Sequence, residues 1–201
     1  MESQEIKNKK IYIVVSQTGS IVSKMLKFVT GDKYNHVSIS LDPSLQTMYS
    51  FARKYTYFPF WGAFVKESPS EGALKRFKNT EIVVVELSLT SAQYETVQAQ
   101  IDKMYEEREK YHYNYRGLFL AYFGKPYHSK HRYYCSEFMR TLLENCGAVD
   151  SEFFGNIAKP VDFLTLPEGK VIYQGKLKNY PSVLVPAAQN IPAADDMEVI
   201  V

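Results

Sequence analysis

A single globular domain mixing α and β structure is what this sequence predicts, and three observations predict it. Short apolar runs rich in β-branched and aromatic residues take turns with segments whose apolar residues recur every three or four positions. The 201 residues are enough to bury a sizeable core. A content of 45% hydrophobic and 23% charged residues is ordinary for a soluble chain.

The elements read in the order strand, helix, strand, strand, loop, strand, helix, helix, late strand. Residues 10–15 (KIYIVV) form a short run of β-branched and aromatic type, which predicts a buried strand. Ile21, Val22, Met25, Leu26 and Val29 then recur at helical spacing, with Thr18 or Ser20 as cap and Gly31 as stop. In 36–41 (HVSISL) the residues alternate, placing Val37, Ile39 and Leu41 on one face and His36, Ser38 and Ser40 on the other. Asp42-Pro43 turns the chain, and 47–53 (TMYSFAR) returns as a hairpin partner.

Residues 81–89 (EIVVVELSL) make the clearest strand. Thr90 and Gln93 form a capping box, and Tyr94, Val97, Ile101 and Met104 give the following helix its buried stripe. Farther on, Phe138, Met139, Leu142, Leu143 and Cys146 mark another amphipathic helix that stops at Gly147. Residues 170–175 (KVIYQG) read as a late strand. The domain is expected over residues 1–180, followed by a flexible, Pro- and Ala-rich extension over 181–201.

The two cysteines differ in position. Cys146 falls on the core stripe, whereas Cys135 stands where the basic, aromatic run HRYY gives way to the helix. A sulfur at a helix start is favoured as thiolate by the dipole and the unpaired N–H groups, with His131 and Arg132 adding positive charge. Eleven residues of helix would separate the two sulfurs by roughly 16 Å, too far for a disulfide. Two free thiols, an N-terminus without the pattern of a signal peptide, and no apolar run of membrane-spanning length make a cytoplasmic location the expectation.

A net charge of +2 argues against a nucleic-acid partner. The excess is instead aromatic: 16 Tyr and 12 Phe, concentrated in 54–64 (KYTYFPFWGAF) and 110–128. Core packing is the first explanation, since aromatic rings dominate core burial. The alternative is the wall of an apolar groove, with Phe60 and Trp61 in the first run and Tyr34 and Tyr134 beside His36 and Cys135 as candidate substrate contacts. Lys125, Lys130 and Arg132 either favour an acidic substrate group or form a solvated loop.

A thiolate nucleophile needs a base. Of four histidines, His112 and His128 lie in polar aromatic loops, His131 can reach Cys135 from four residues upstream but in a flexible loop that orients it poorly, and His36 begins a patterned strand that can hold an imidazole in one orientation. The segment TGDKYNHVSISL around His36, followed far downstream by YYCSEFMRTLL around Cys135, resembles the circularly permuted branch of the NlpC/P60 papain-like superfamily (YiiX/YaeF-like), with lecithin retinol acyltransferase as a more distant relative. The resemblance covers most of residues 10–175 and rests on short motifs, with the histidine strand ahead of the cysteine helix, as in that branch.

That resemblance implies an α+β fold of permuted papain-like type, a small antiparallel sheet packed against helices. It implies Cys135 as nucleophile, His36 as base and the Cys135 N–H as an oxyanion donor. It also implies a third polar residue on the next strand, where the match is Ser50. Ser50 departs from the pattern, because a hydroxyl cannot offer an imidazolium the charge of a carboxylate. Glu137, two residues into the helix, fits the N-terminal dipole better than an orienting role.

The reaction implied is cleavage of an amide or ester through a thioacyl-enzyme, without a cofactor, on a small-molecule, lipid or peptide substrate that carries an acyl group. An acyltransferase of the same mechanism and a noncatalytic lipid- or peptide-binding module are the alternatives. A zinc site at His128, His131 and Cys135 is a rival, weakened by the lack of a fourth ligand nearby. The sequence does not fix the oligomeric state.

Overall fold

The structure, a computed structural model, describes residues 7–18, 32–55 and 58–181; the side chains of 53–61 and of Tyr122 fall outside that description. The amphipathic segment expected over 21–31 and the extension beyond residue 181 lie outside it too.

The architecture is α+β. Eight strands form one sheet: β1 (Lys9–Gln17), β2 (His36–Ser40), β3 (Met48–Tyr55), β4 (Phe58–Glu67), β5 (Glu81–Leu89), β6 (His112–Tyr113), β7 (Arg132–Tyr133) and β8 (Lys170–Lys176). Their spatial order is β7-β6-β4-β3-β2-β1-β5-β8. Every neighbouring pair is antiparallel except β6 and β7. Among the described residues the α-helices are α1 (Gly72–Arg76), α2 (Ser91–Glu106), α3 (Tyr115–Tyr122) and α4 (Cys135–Asn145).

β1 lies between β2 and β5, pairing Ile13 with Ile39 on one side and with Val85 on the other. Its residues Ile11–Ser16 are all buried, and so are Ile82–Val85 of β5, so both faces of the sheet centre are covered. On one face α2 and α4 seat Val97, Ile101, Phe138, Met139, Leu142 and Leu143 on the strands. On the other, Leu45, Met48, Leu74 and Leu177 cover Tyr12, Val14, Ile82 and Val84.

That second cover changes the reading of β2. Its serine face is not solvated: Ser38 and Ser40 are buried along with Val37 and Ile39. The hydroxyls are satisfied internally, Ser40 Oγ lying within hydrogen-bond distance of the carbonyls of Asp42 (2.7 Å) and Thr47 (2.8 Å), and Ser38 Oγ facing Met48 Sδ at 3.8 Å.

Both aromatic runs read as loops contain regular structure. Residues 58–67 are β4, zipped to β3 from Met48↔Glu67 to Tyr55↔Phe58. Phe64 of β4 packs with Phe51 of β3 and Phe138 of α4, ring centroids 5.3–5.4 Å apart, directly beneath the cysteine helix. The second run holds β6 and α3, the helix capped by Asn114, whose Oδ1 accepts the N–H of Gly117 at 2.8 Å.

Local signals fix the remaining helix ends. Thr90 and Gln93 make the reciprocal capping box of α2. α4 ends at Gly147, whose φ of 68° suits the left-handed C′ position.

Candidate active site

Cys135 is the first residue of α4, 5% exposed, and it opens into a cavity of about 540 Å³. The walls are mainly apolar and aromatic, with Tyr34, Tyr113, Tyr134, Leu118 and Ile157 among them. Tyr113 packs closely on β4 because position 62 is glycine: a Cβ there would stand 2.6 Å from the Tyr113 side chain. The opposite wall, residues 157–160, is tied to α4 by Ser136 Oγ, which donates to the Ala158 carbonyl at 2.8 Å. Arg140 secures the turn before it, donating to the carbonyls of Gly155 and Ser151.

His36, at the start of β2, sits between the thiol and a carboxylate. Its Nε2 meets Oε2 of Glu67, the last residue of β4, at 3.1 Å, and the ring also has a hydrogen-bonding interaction with Cys135. With Nε2 committed to Glu67, Nδ1 is the nitrogen left for the sulfur. Burial alone would lower the pKa of this ring. The Glu67 carboxylate, with hydrogen bonds from both neighbours and the charge on Cys135, outweighs it and raises the pKa to about 10. The imidazole is therefore a cation at neutral pH, and its Nε2–H donates to Glu67.

Ser50 is fully buried, and its Oγ donates to the same Oε2 of Glu67 at 2.6 Å. The hydroxyl thus meets the ring through the carboxylate: Ser50 holds Glu67, and Glu67 holds His36. Glu67 is the residue that sequence reasoning missed. The available signal was the short apolar run AFV at 63–65, enriched in β-forming residues and ending at Lys66-Glu67.

Glu137 is buried at the base of the cysteine helix. Its Oε2 accepts the Tyr134 N–H (3.3 Å) and Asn114 Nδ2 (3.2 Å), while its Oε1 meets His128 Nδ1 at 2.7 Å. Asn114, 1% exposed, caps α3 with one end of its amide and with the other reaches Glu137 and the Tyr127 carbonyl. One side chain therefore couples the helix forming a cavity wall to the helix presenting the sulfur. Replacing Asn114 by alanine removes the cap and leaves a buried carboxylate short of a donor. A loss of about 2 kcal/mol is expected, read as a lower denaturation midpoint.

The histidines and cysteine of the zinc alternative are separately engaged. His128 contacts Glu137, His131 lies edge-on to Tyr111 at 5.2 Å, and Cys135 faces His36. Among the described residues no group of three or more His, Cys, Asp or Glu is arranged to hold a metal. Of the expected substrate contacts, Tyr34 and Tyr134 line the cavity, whereas the side chains of Phe60 and Trp61 lie outside the described residues.

Two neighbouring phenols stay protonated. Burial, reinforced first by Cys135 for Tyr113 and by Glu137 for Tyr134, raises both pKa values far above the ordinary range. They are hydroxyl donors at any pH of interest. Cys146 is a free, half-buried thiol on the far end of α4, its pKa raised by burial.

No family model matches the chain, and neither a curated protein nor a solved structure matches it significantly. Among the described residues no helix is long and apolar enough to cross a membrane.

Proposed function

We propose that this protein is a thiol-dependent hydrolase of amide or ester bonds, built on a permuted papain-like fold. The observation that carries the reading is the His36 imidazole held between Glu67 and Cys135, the residue that lines an apolar cavity. An imidazolium beside a cysteine favours the thiolate, as does the start of a helix.

The sulfur attacks the carbonyl carbon, forming a C–S bond, and the negative charge moves to the carbonyl oxygen. The Cys135 N–H and the protonated Tyr113 hydroxyl are the candidate donors to that oxygen. The imidazolium then gives its proton to the departing amine or alkoxide as the C–N or C–O bond breaks. Water attacks the thioester, His36 takes its proton, and the sulfur leaves, releasing the acid. An alcohol or amine in place of water would give acyl transfer.

Incubation with a p-nitrophenyl ester followed by mass spectrometry tests the proposal. An acyl adduct confined to Cys135, absent from Cys135→Ser, is expected. An unlabelled Cys135, or equal labelling of Cys146, rejects catalysis and leaves a binding module.

A further inference from the structure

The rim of the cavity carries an exposed aromatic stripe. Tyr115 and Phe119 of α3 and Phe123, the residue at its C-terminal cap, follow one another at intervals of four, with 40%, 65% and 58% of their surface exposed. Residues so spaced share one helix face. Phe119 and Phe123 stack edge to face at 5.2 Å, and both line the cavity that contains Cys135. Neither ring contributes to the buried core. Large exposed aromatics gathered at one place mark an interaction surface.

The charge around this stripe indicates what it meets. From Tyr111 to Ser136 the chain has four Lys or Arg and no Asp or Glu, although the whole protein nearly balances its charges at +2. Arg116, Lys125, Lys130 and Arg132 are all exposed, and among the described residues none of them forms an ion pair. The basic loop is fastened to the aromatic helix. Arg116 lies over the Tyr127 ring at 4.7 Å, and the Lys125 N–H donates to the Leu120 carbonyl at 3.0 Å. Asn114 ties the loop at Tyr127 as well.

A helix with aromatic residues on one side and lysine and arginine around it matches a bilayer interface, where rings sink to the acyl boundary and cations meet anionic headgroups. We propose that the α3 face docks this protein on an anionic lipid surface, with the mouth of the Cys135 cavity facing the bilayer. The docking proposal stands on the surface and does not require catalysis by Cys135.

Flotation of the full chain with vesicles of phosphatidylcholine, with and without phosphatidylserine, tests it. The protein is expected to float with the phosphatidylserine vesicles and much less with phosphatidylcholine alone. The double variant Phe119→Ser, Phe123→Ser is expected to weaken binding at least about tenfold. Lys125→Glu with Lys130→Glu is expected to weaken it by a similar factor, on the anionic vesicles only. Circular dichroism of these surface variants confirms that they are folded. Cys135→Ala should float like the wild type, so a failure of the catalytic reading leaves this outcome untouched. Absence of wild-type flotation, equal flotation of the phenylalanine variant, or a wild-type dimer that the variant converts to monomer without lipid would each overturn the proposal.

Discussion

Alanine at His36 is expected to slow alkylation of Cys135 by iodoacetamide at neutral pH by at least about tenfold, and to cut acyl-enzyme turnover by about 10²–10⁴-fold. Without the ring, Cys135 loses the cation that favours its thiolate and the acid that protonates the leaving group. Cys146 supplies an internal reference, because it hydrogen-bonds the Leu143 carbonyl and has no part in the His36 contacts. Identical alkylation rates for Cys135 in the wild type and His36→Ala would sink the ion pair, and with it the proposed chemistry.

Removal of the Glu67 carboxylate should have the largest effect on stability. The His36 and Glu67 side chains are only 16% and 14% exposed, so Glu67→Ala leaves a mostly buried imidazole without its charge partner and the buried Ser50 hydroxyl without its acceptor, at a cost of about 3 kcal/mol. The pH dependence has a definite sign. The folded ring has its pKa raised to about 10 against about 6.5 in an unfolded chain, so the native state binds the extra proton between those values. The stabilisation is complete below about pH 6.5 and is lost as pH rises toward 10. Denaturation midpoints of the wild type should therefore fall across that window, while those of Glu67→Gln should be flatter. A Glu67→Gln variant with the full wild-type slope would show that this carboxylate does not set the pKa of the ring.

The parts of the fold that could be read in advance were those in which one period dominates. β5 is a run of β-branched residues buried on both faces, and α2 announces itself with a capping box. The stripe Phe138, Met139, Leu142 and Leu143 in α4 is entirely buried. β4 and α3 were harder to see because aromatic residues occupy adjacent positions there, which blurs both the period of two and that of 3.6. With β4 unread, the carboxylate at its end had no place, and the orienting role fell to Ser50 on the neighbouring strand. Ser38 and Ser40 misled differently: hydroxyls that bond carbonyls and a thioether can be buried at small cost, so their presence did not mark a solvated face. The link between Asn114 and Glu137 spans 23 residues and leaves no periodic trace.

Roughly half the chain separates the strand of His36 from the helix of Cys135, and the sheet between them must be assembled before either side chain meets the other. During synthesis the imidazole emerges first, with Glu67 close behind on the same antiparallel meander, and the cysteine only later. Contacts so distant in sequence form late in folding, because the loop entropy must be overcome before they contribute. Cys135 therefore meets His36 only once the sheet and the helix are assembled. On the proposed thiol chemistry, the reactivity of Cys135 would be acquired only with the native topology, which would spare the unfinished protein from modification by its own sulfur.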